Sequence, residues 1–372
     1  MRRVTFAVAF TAVLAAALPA GLFAQADSGQ APPASDRPGY RALNLGVHGV
    51  GLSIGNSRRW TGLRINFRDN AVEQVNGLNL TIWAPQHNET MVLNGVAVGI
   101  AGPVGGTFNG VTIGGIGAVA ERGFHGVTLA GLGAVSNGDT RGLTVAGLGV
   151  VSNGDMTGIN VSGLGTVANR SMRGLNLAGL GVVADGDLGG INVSGLGTVA
   201  NGVLGGVSVG GLAVVGNRGV WGITAGGLAV VSDGAVDGVS VAGLAVVGNG
   251  RVRGISAAGL AVVTDQTMTG LAVAGLAVVG GQGLRGVAIG GVHVEGRWIE
   301  GLAISPIRTR TWDMTGVSIA GYNRIKGGQR GLTIGIYNYA KQLHGVQLGL
   351  INNARNNRGI LRVLPLINVH LD

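Results

Sequence analysis

Apolar and polar positions along most of this chain repeat every 16 residues, and their phase changes within each repeat. Twelve glycines from Gly110 to Gly286 open the units, and each is followed five residues later by another, from Gly115 to Gly291. With the leading glycine as position zero, positions one and three are apolar, as at Leu143 and Val145 or Ile159 and Val161. Position six is leucine in ten of the twelve units, with Ile116 and Val292 at the ends. Position nine is valine until Glu295, and position fourteen is usually apolar, as at Met156, Met172, Leu188 and Leu204. Position two carries small polar residues such as Thr128, Asn160 and Ser208, and position eleven is usually Asn or Asp, often before glycine, as in Asn137-Gly138 and Asp185-Gly186.

Spacings of two mean extended chain with successive side chains on opposite faces. Helix is excluded, because each interior glycine costs about 1 kcal/mol against alanine. Positions one and three share a face, whereas six and fourteen have the opposite parity. A strand changes its inward face only at a bend or bulge, and glycine permits one. Gly110, Gly115, Gly126, Gly131, Gly142, Gly147, Gly158 and Gly163 are therefore read as corners. Each unit becomes strand, corner, strand, Asn-Gly turn, corner. The fold class that follows is all-β, a parallel β-solenoid of ~16-residue coils with irregular end caps, like residues stacking at about 4.8 Å per coil. Leucines at position six, such as Leu132, Leu148 and Leu164, are expected to form an internal column. The polar ladder at position two is expected to face outward. Of each valine pair at positions eight and nine, such as Val150-Val151, one must point outward as an apolar stripe. The alternative is an antiparallel transmembrane β-barrel, one strand and one turn per unit. Export and strand-sized units suit it; the phase switch, the 4% aromatic content and the lack of long loops oppose it.

Around the strict array, organisation loosens. Residues 1–26 read as a secretory signal, with Met1-Arg2-Arg3, an apolar run from Val4 to Leu18, and the small-x-small site Ala24-Gln25-Ala26. Residues 27–42, with Pro32, Pro33 and Pro38, read as a disordered tether. Residues 43–109 hold irregular N-terminal repeats and a cap, 110–300 the regular array, and 301–372 shorter repeats with a closing cap. With 74 glycines but 46% apolar residues, the chain is neither a disordered linker nor, lacking a three-residue period, collagen. It has no cysteine, so stacking rather than disulfides must hold it. The net charge is +9, with Arg308, Arg310, Arg324, Lys326, Arg330, Arg355, Arg358 and Arg362 crowded toward the carboxyl end. Such an end is most often a solvated surface, although it suits lipid headgroups or polysaccharide. Trp60, Trp83, Trp298, Trp312, Tyr337 and Tyr339 also gather in the flanks.

The tail carries Gly331-Leu-Thr-Ile-Gly-Ile-Tyr-Asn338, Gly345-Val-Gln-Leu-Gly-Leu-Ile-Asn352 and Leu364-Pro-Leu-Ile-Asn368. These resemble the bacterial exported glycine-rich surface-repeat proteins built on G-[VL]-Q-[IVL]-G-L-x-N units. The resemblance covers about Gly49 to the end. It implies a place in the bacterial periplasm, outer membrane or cell surface, and it offers no catalytic residues to transfer. This chain departs from the pattern where Ala, Gly or Val replaces the asparagine inside the strand.

No catalytic constellation emerges. The six histidines fall in six different units without metal-ligand spacing, and no phosphate loop or serine elbow is present. Asp139, Asp155, Asp185 and Asp187 are weak calcium candidates, since stacked turn oxygens suit Ca²⁺. The series lapses at Ser171, Val203 and Gly219, and Asn-Gly or Asp-Gly has a sufficient role in tight turns. The resulting expectation is a non-enzymatic exported envelope scaffold that presents repetitive faces and needs no cofactor. Its partners would be protein, glycan, another envelope component or copies of itself, not nucleic acid, with membrane association open. The runner-up is an outer-membrane β-barrel. A polysaccharide-active β-helix comes third, because its carboxylates would have to converge and here they sit singly.

Overall fold

The computed structural model describes residues 42–371. The expected signal, and the expected tether apart from Ala42, lie outside them. The described chain is all-β, a parallel β-solenoid with repeats about 16 residues apart. It divides into two compact units, one ending at Arg170 and the other beginning at Ser171.

In the first unit Gly126 pairs with Gly142, and Gly142 with Gly158, in parallel ladders. In the second, Gly174 pairs with Gly190 and Gly238 with Gly254, again in parallel. Successive repeats of a barrel would alternate in direction, so this register excludes the antiparallel transmembrane barrel. Each repeat turns through a complete coil and returns running the same way.

One coil shows how. Asp139–Ala146 is extended, the chain bends at Gly147-Leu148, Gly149–Ser152 is extended again, and Asn153-Gly154 turns it. A third change of direction lies inside the first stretch. Thr140 and Thr144 are buried, but Arg141 and Gly142 between them are both exposed, and Gly142 has φ +111°. That glycine lets two consecutive residues face out before alternation resumes.

The interior is therefore filled by positions two, four, eight, ten and fourteen: Thr144, Ala146, Val150, Ser152 and Met156 in one circuit. The second unit repeats it with Asn192, Ser194, Thr198, Ala200 and Leu204. This reverses the expected faces. The polar ladder at position two is inside, and the leucines at position six are outside; Leu132 is exposed and Leu148 and Leu164 half-exposed at the bend. The reason is space. Three short runs of backbone enclose a narrow channel, and native packing density admits small side chains on most sides of it. In the strict array the largest inward side chains stand at position fourteen. There Phe108 and Phe124 stack with centroids 5.5 Å apart in the first unit, and Met172, Leu188 and Leu204 follow one another in the second. Of the valine pairs, position eight points in, and position nine is half-covered in every pair except Val182-Val183, where it is buried.

Buried polar groups in this channel bond along the stack. Asn176 Nδ2 donates to Asn192 Oδ1 at 2.8 Å, and Asn192 Nδ2 to Ser208 Oγ at 3.2 Å. In the shorter coils Asn323 Nδ2 donates to Asn338 Oδ1, and Asn338 Nδ2 to Asn352 Oδ1, each at 2.8 Å. A polar group buried this way is tolerated because a partner waits one coil away.

The first unit opens with an antiparallel hairpin, Ala42–Val47 against Val50–Gly55, closed by His48 and Gly49 at φ 50° and 76°. Both values suit a two-residue turn matched to strand twist. The coils that follow enclose an ion pair. Arg64, fully buried, donates to Asp69 and to Asn79 Oδ1 (2.7 Å) and Asn56 Oδ1 (3.0 Å). Asp69 also accepts from Asn79 Nδ2 at 2.8 Å and Thr81 Oγ1 at 2.7 Å. The second unit ends on Val363–His370, antiparallel to residues 345–353 and reached through a single 3-10 turn, Gly359–Arg362. Pro365 in that last strand removes a donor that would invite further pairing.

Candidate interaction faces

Because small residues occupy the channel, the large aliphatic ones form an outer face. In the first unit Ile113, Leu129 and Ile159 project from positions one and three, with Ile116 and Leu132 from position six. In the second, Ile191, Ile223 and Ile255 continue position one, while Leu212, Leu228, Leu244 and Leu260 occupy position six. Ile223 is 55% exposed and Leu228 46%, against 0% for the channel residue Leu204. Charge avoids this side. From Gly110 to Gly296 no charged residue stands at positions zero to ten except Glu295; the rest fall at eleven to fifteen. Each unit thus has an aliphatic side and a polar turn side.

Hydrogen bonds between coils organise the turn side. In the first unit Asn153 Nδ2 donates to Asn137 Oδ1 at 2.9 Å, and Asn169 Nδ2 to Asn153 Oδ1 at 2.7 Å. Asp139 accepts the Asp155 backbone N–H at 3.0 Å and Arg141 at 2.8 Å. In the second unit Asp185 accepts from Asn201 Nδ2 at 2.9 Å, and Asp187 accepts the Val203 backbone N–H at 2.9 Å and Arg218 at 2.8 Å. The backbone N–H of the next coil is the main reason that the Asp139 and Asp187 carboxyls lie below their ordinary value, with Arg141 and Arg218 adding to it. Their oxygens are engaged as turn acceptors. Among the described residues no three acidic, histidine or cysteine side chains come together as a metal group. Calcium takes six to eight oxygens, and the four aspartates, one or two per turn, do not assemble such a set.

The remaining sequence candidates fall as follows. Gly110, Gly126, Gly142 and Gly158 have φ between 111° and 131°. Gly115, Gly131, Gly147 and Gly163 lie at the second bend, where an added Cβ would overlap a carbonyl oxygen of the preceding coil. His125 bonds Asn109 at 2.9 Å, His293 meets Glu295 at 2.7 Å, and His344 packs edge-on to His370.

No family model, curated protein or solved structure matches this chain. Sequence reasoning missed the outward aliphatic face because it assigned apolar residues to the interior. One signal was available. Positions zero to ten lack charge at odd and even places alike, so one apolar set had to face out. The Arg64–Asp69 cluster had no such signal, since its members are scattered over irregular coils. Among the described residues, no helix is long and apolar enough to cross a membrane.

Proposed function

We propose that this chain is an exported, non-enzymatic scaffold of the bacterial cell envelope, and that its aliphatic side is its docking side. One observation carries the reading. From Gly110 to Gly296, coil after coil within each unit exposes leucine, isoleucine and valine on the same side, while charge other than Glu295 is confined to the turn side. Apolar patches of this extent mark contact surfaces. Repetition gives such a surface many weak contacts in place of one pocket, as suits a structural component. A catalytic role gains no support from the acids, which are spent on turns and ion pairs.

The test replaces Ile191, Ile223 and Ile255 together by threonine, which keeps the β-branched shape. These side chains are exposed, so the thermal midpoint should stay within a few degrees of the parent. Cell fractionation should then move the protein from the envelope fraction to the soluble one. Retention of the folded variant in the envelope at the parent level would remove the docking role.

A further inference from the structure

In the C-terminal coils the side beyond the position-six bend changes character. Where central coils carry Ala-Val-Val, these carry Arg308, Arg310 and Arg324, and Arg297, Lys326, Lys341 and Trp312 follow in or beside the turn. A shallow groove there is lined by Arg297, Arg310, Trp312 and Lys326, with Glu295, Val279, Thr311 and the backbone of Gly280, Gly281 and Gly296 completing it. Trp312 is 55% exposed, and its ring lies against Gly327, where an added Cβ would stand 2.8 Å from Cδ1. The turn beneath it is fixed. Thr311 Oγ1 donates to the Asp313 carbonyl at 2.8 Å, and the Gly328 N–H donates to Asp313 Oδ1 at 2.8 Å.

Charge here is unbalanced. Among the described residues, Glu295 pairs with His293 at 2.7 Å and Arg310 at 3.6 Å, while Arg297, Arg308, Arg324, Lys326 and Lys341 have no acidic partner. Two unmatched cations, Arg297 and Lys326, share one groove with an exposed indole and with Arg310, whose only acidic neighbour is Glu295 at 3.6 Å; together they make a site rather than a solvated rim.

We infer that this groove binds an acidic polysaccharide, a chain of carboxylate-bearing sugars. The indole face takes the C–H face of a pyranose ring. Guanidinium forks match carboxylates in a planar, two-bond geometry. Three successive coils each supply a cation to the groove, Arg297, Arg310 and Lys326, at about 4.8 Å per coil, a step close to the advance of one sugar in an extended chain. Nucleic acid fits less well, because single strands are held by a succession of aromatic platforms and this groove has one. A lipid headgroup would leave the tryptophan wall without a role.

Binding of the full chain to polygalacturonate is measured by titration calorimetry at low and moderate salt. Dextran, phosphatidylglycerol vesicles and a single-stranded oligodeoxynucleotide are run beside it. Polygalacturonate should bind and dextran should not. Trp312→Ala should weaken binding about 10-fold at both salt levels, the scale of losing one stacked ring, and Trp312→Phe should recover most of it. Arg297→Gln combined with Lys326→Gln should weaken binding by a similar factor and flatten its salt dependence. All of these side chains are on the surface, so each variant should keep the parent's melting curve. The inference is overturned if polygalacturonate does not bind, if dextran binds equally, or if Trp312→Ala changes nothing. Tighter binding to the vesicles or the oligonucleotide overturns it too. The threonine substitutions at Ile191, Ile223 and Ile255 should leave this binding untouched, which separates its failure from that of the docking face.

Discussion

An added β-carbon on Gly163 would overlap the carbonyl oxygen of Gly147 in the preceding coil. The backbones there are too close for any side chain. Gly163→Ala should therefore cost about 2–4 kcal/mol, read from chemical denaturation. Gly149 gives the contrast. Its φ is not positive, an added Cβ would lie 3.6 Å from the nearest atom, and alanine fills the same position at Ala213, Ala229 and Ala245. Gly149→Ala should be neutral or stabilising by about 0.4–1 kcal/mol, because it restricts the unfolded chain. Titration is also a matter for single residues. Asp139 and Asp187 have folded-state carboxyls below the ordinary 3.8, chiefly because each accepts a backbone N–H from the next coil. Their stabilisation is present above that value and is lost as pH falls through it toward the depressed folded-state value. Asp139→Asn with Asp187→Asn should lower the melting midpoint near neutral pH and flatten its decline below about pH 4. A parent and variant that decline in parallel would deny these carboxylates that role. The effect should be modest, since both groups are partly exposed and screened.

Buried and exposed ladders of the same residue type differ in cost at the level of the coil. Asn338 sits in the channel, donating to Asn352 and the Leu348 carbonyl and accepting from Asn323. Asn338→Ala strands several polar groups away from water, and about 2–4 kcal/mol should be lost. Asn153 lies in the exposed turn ladder, where water replaces its partners; Asn153→Ala should cost under about 1 kcal/mol. Equal losses would contradict the assignment of inside and outside. These elements also mark where the sequence was readable. Period and strand character follow from glycine spacing and alternation, and the phase switch favours parallel stacking over the barrel. The inward face did not follow, because hydroxyl and amide groups at position two look solvated until a partner is placed one coil away.

For the molecule as a whole, the prediction is an inversion of the usual large-residue rule. Leu204→Ala, in the channel, should cost about 2–5 kcal/mol. Ile223→Ala, on the outer face, should stay within about 0.5 kcal/mol of the parent. The reverse order would mean that the aliphatic face is the core. By itself the sequence determined the repeat length and, across the regular array, the confinement of charge to the turns, since each is a periodic property that neighbouring repeats share. The parallel register that it favoured was decided against the barrel only by the ladders themselves. Tertiary structure alone decided which parity faces inward, because that depends on the width of the enclosed channel and on two consecutive residues facing out at each positive-φ glycine. It also set Arg310 and Trp312 of one coil beside Arg297 and Lys326 of the neighbouring coils as a groove, since which side chains face out together depends on how the coils close.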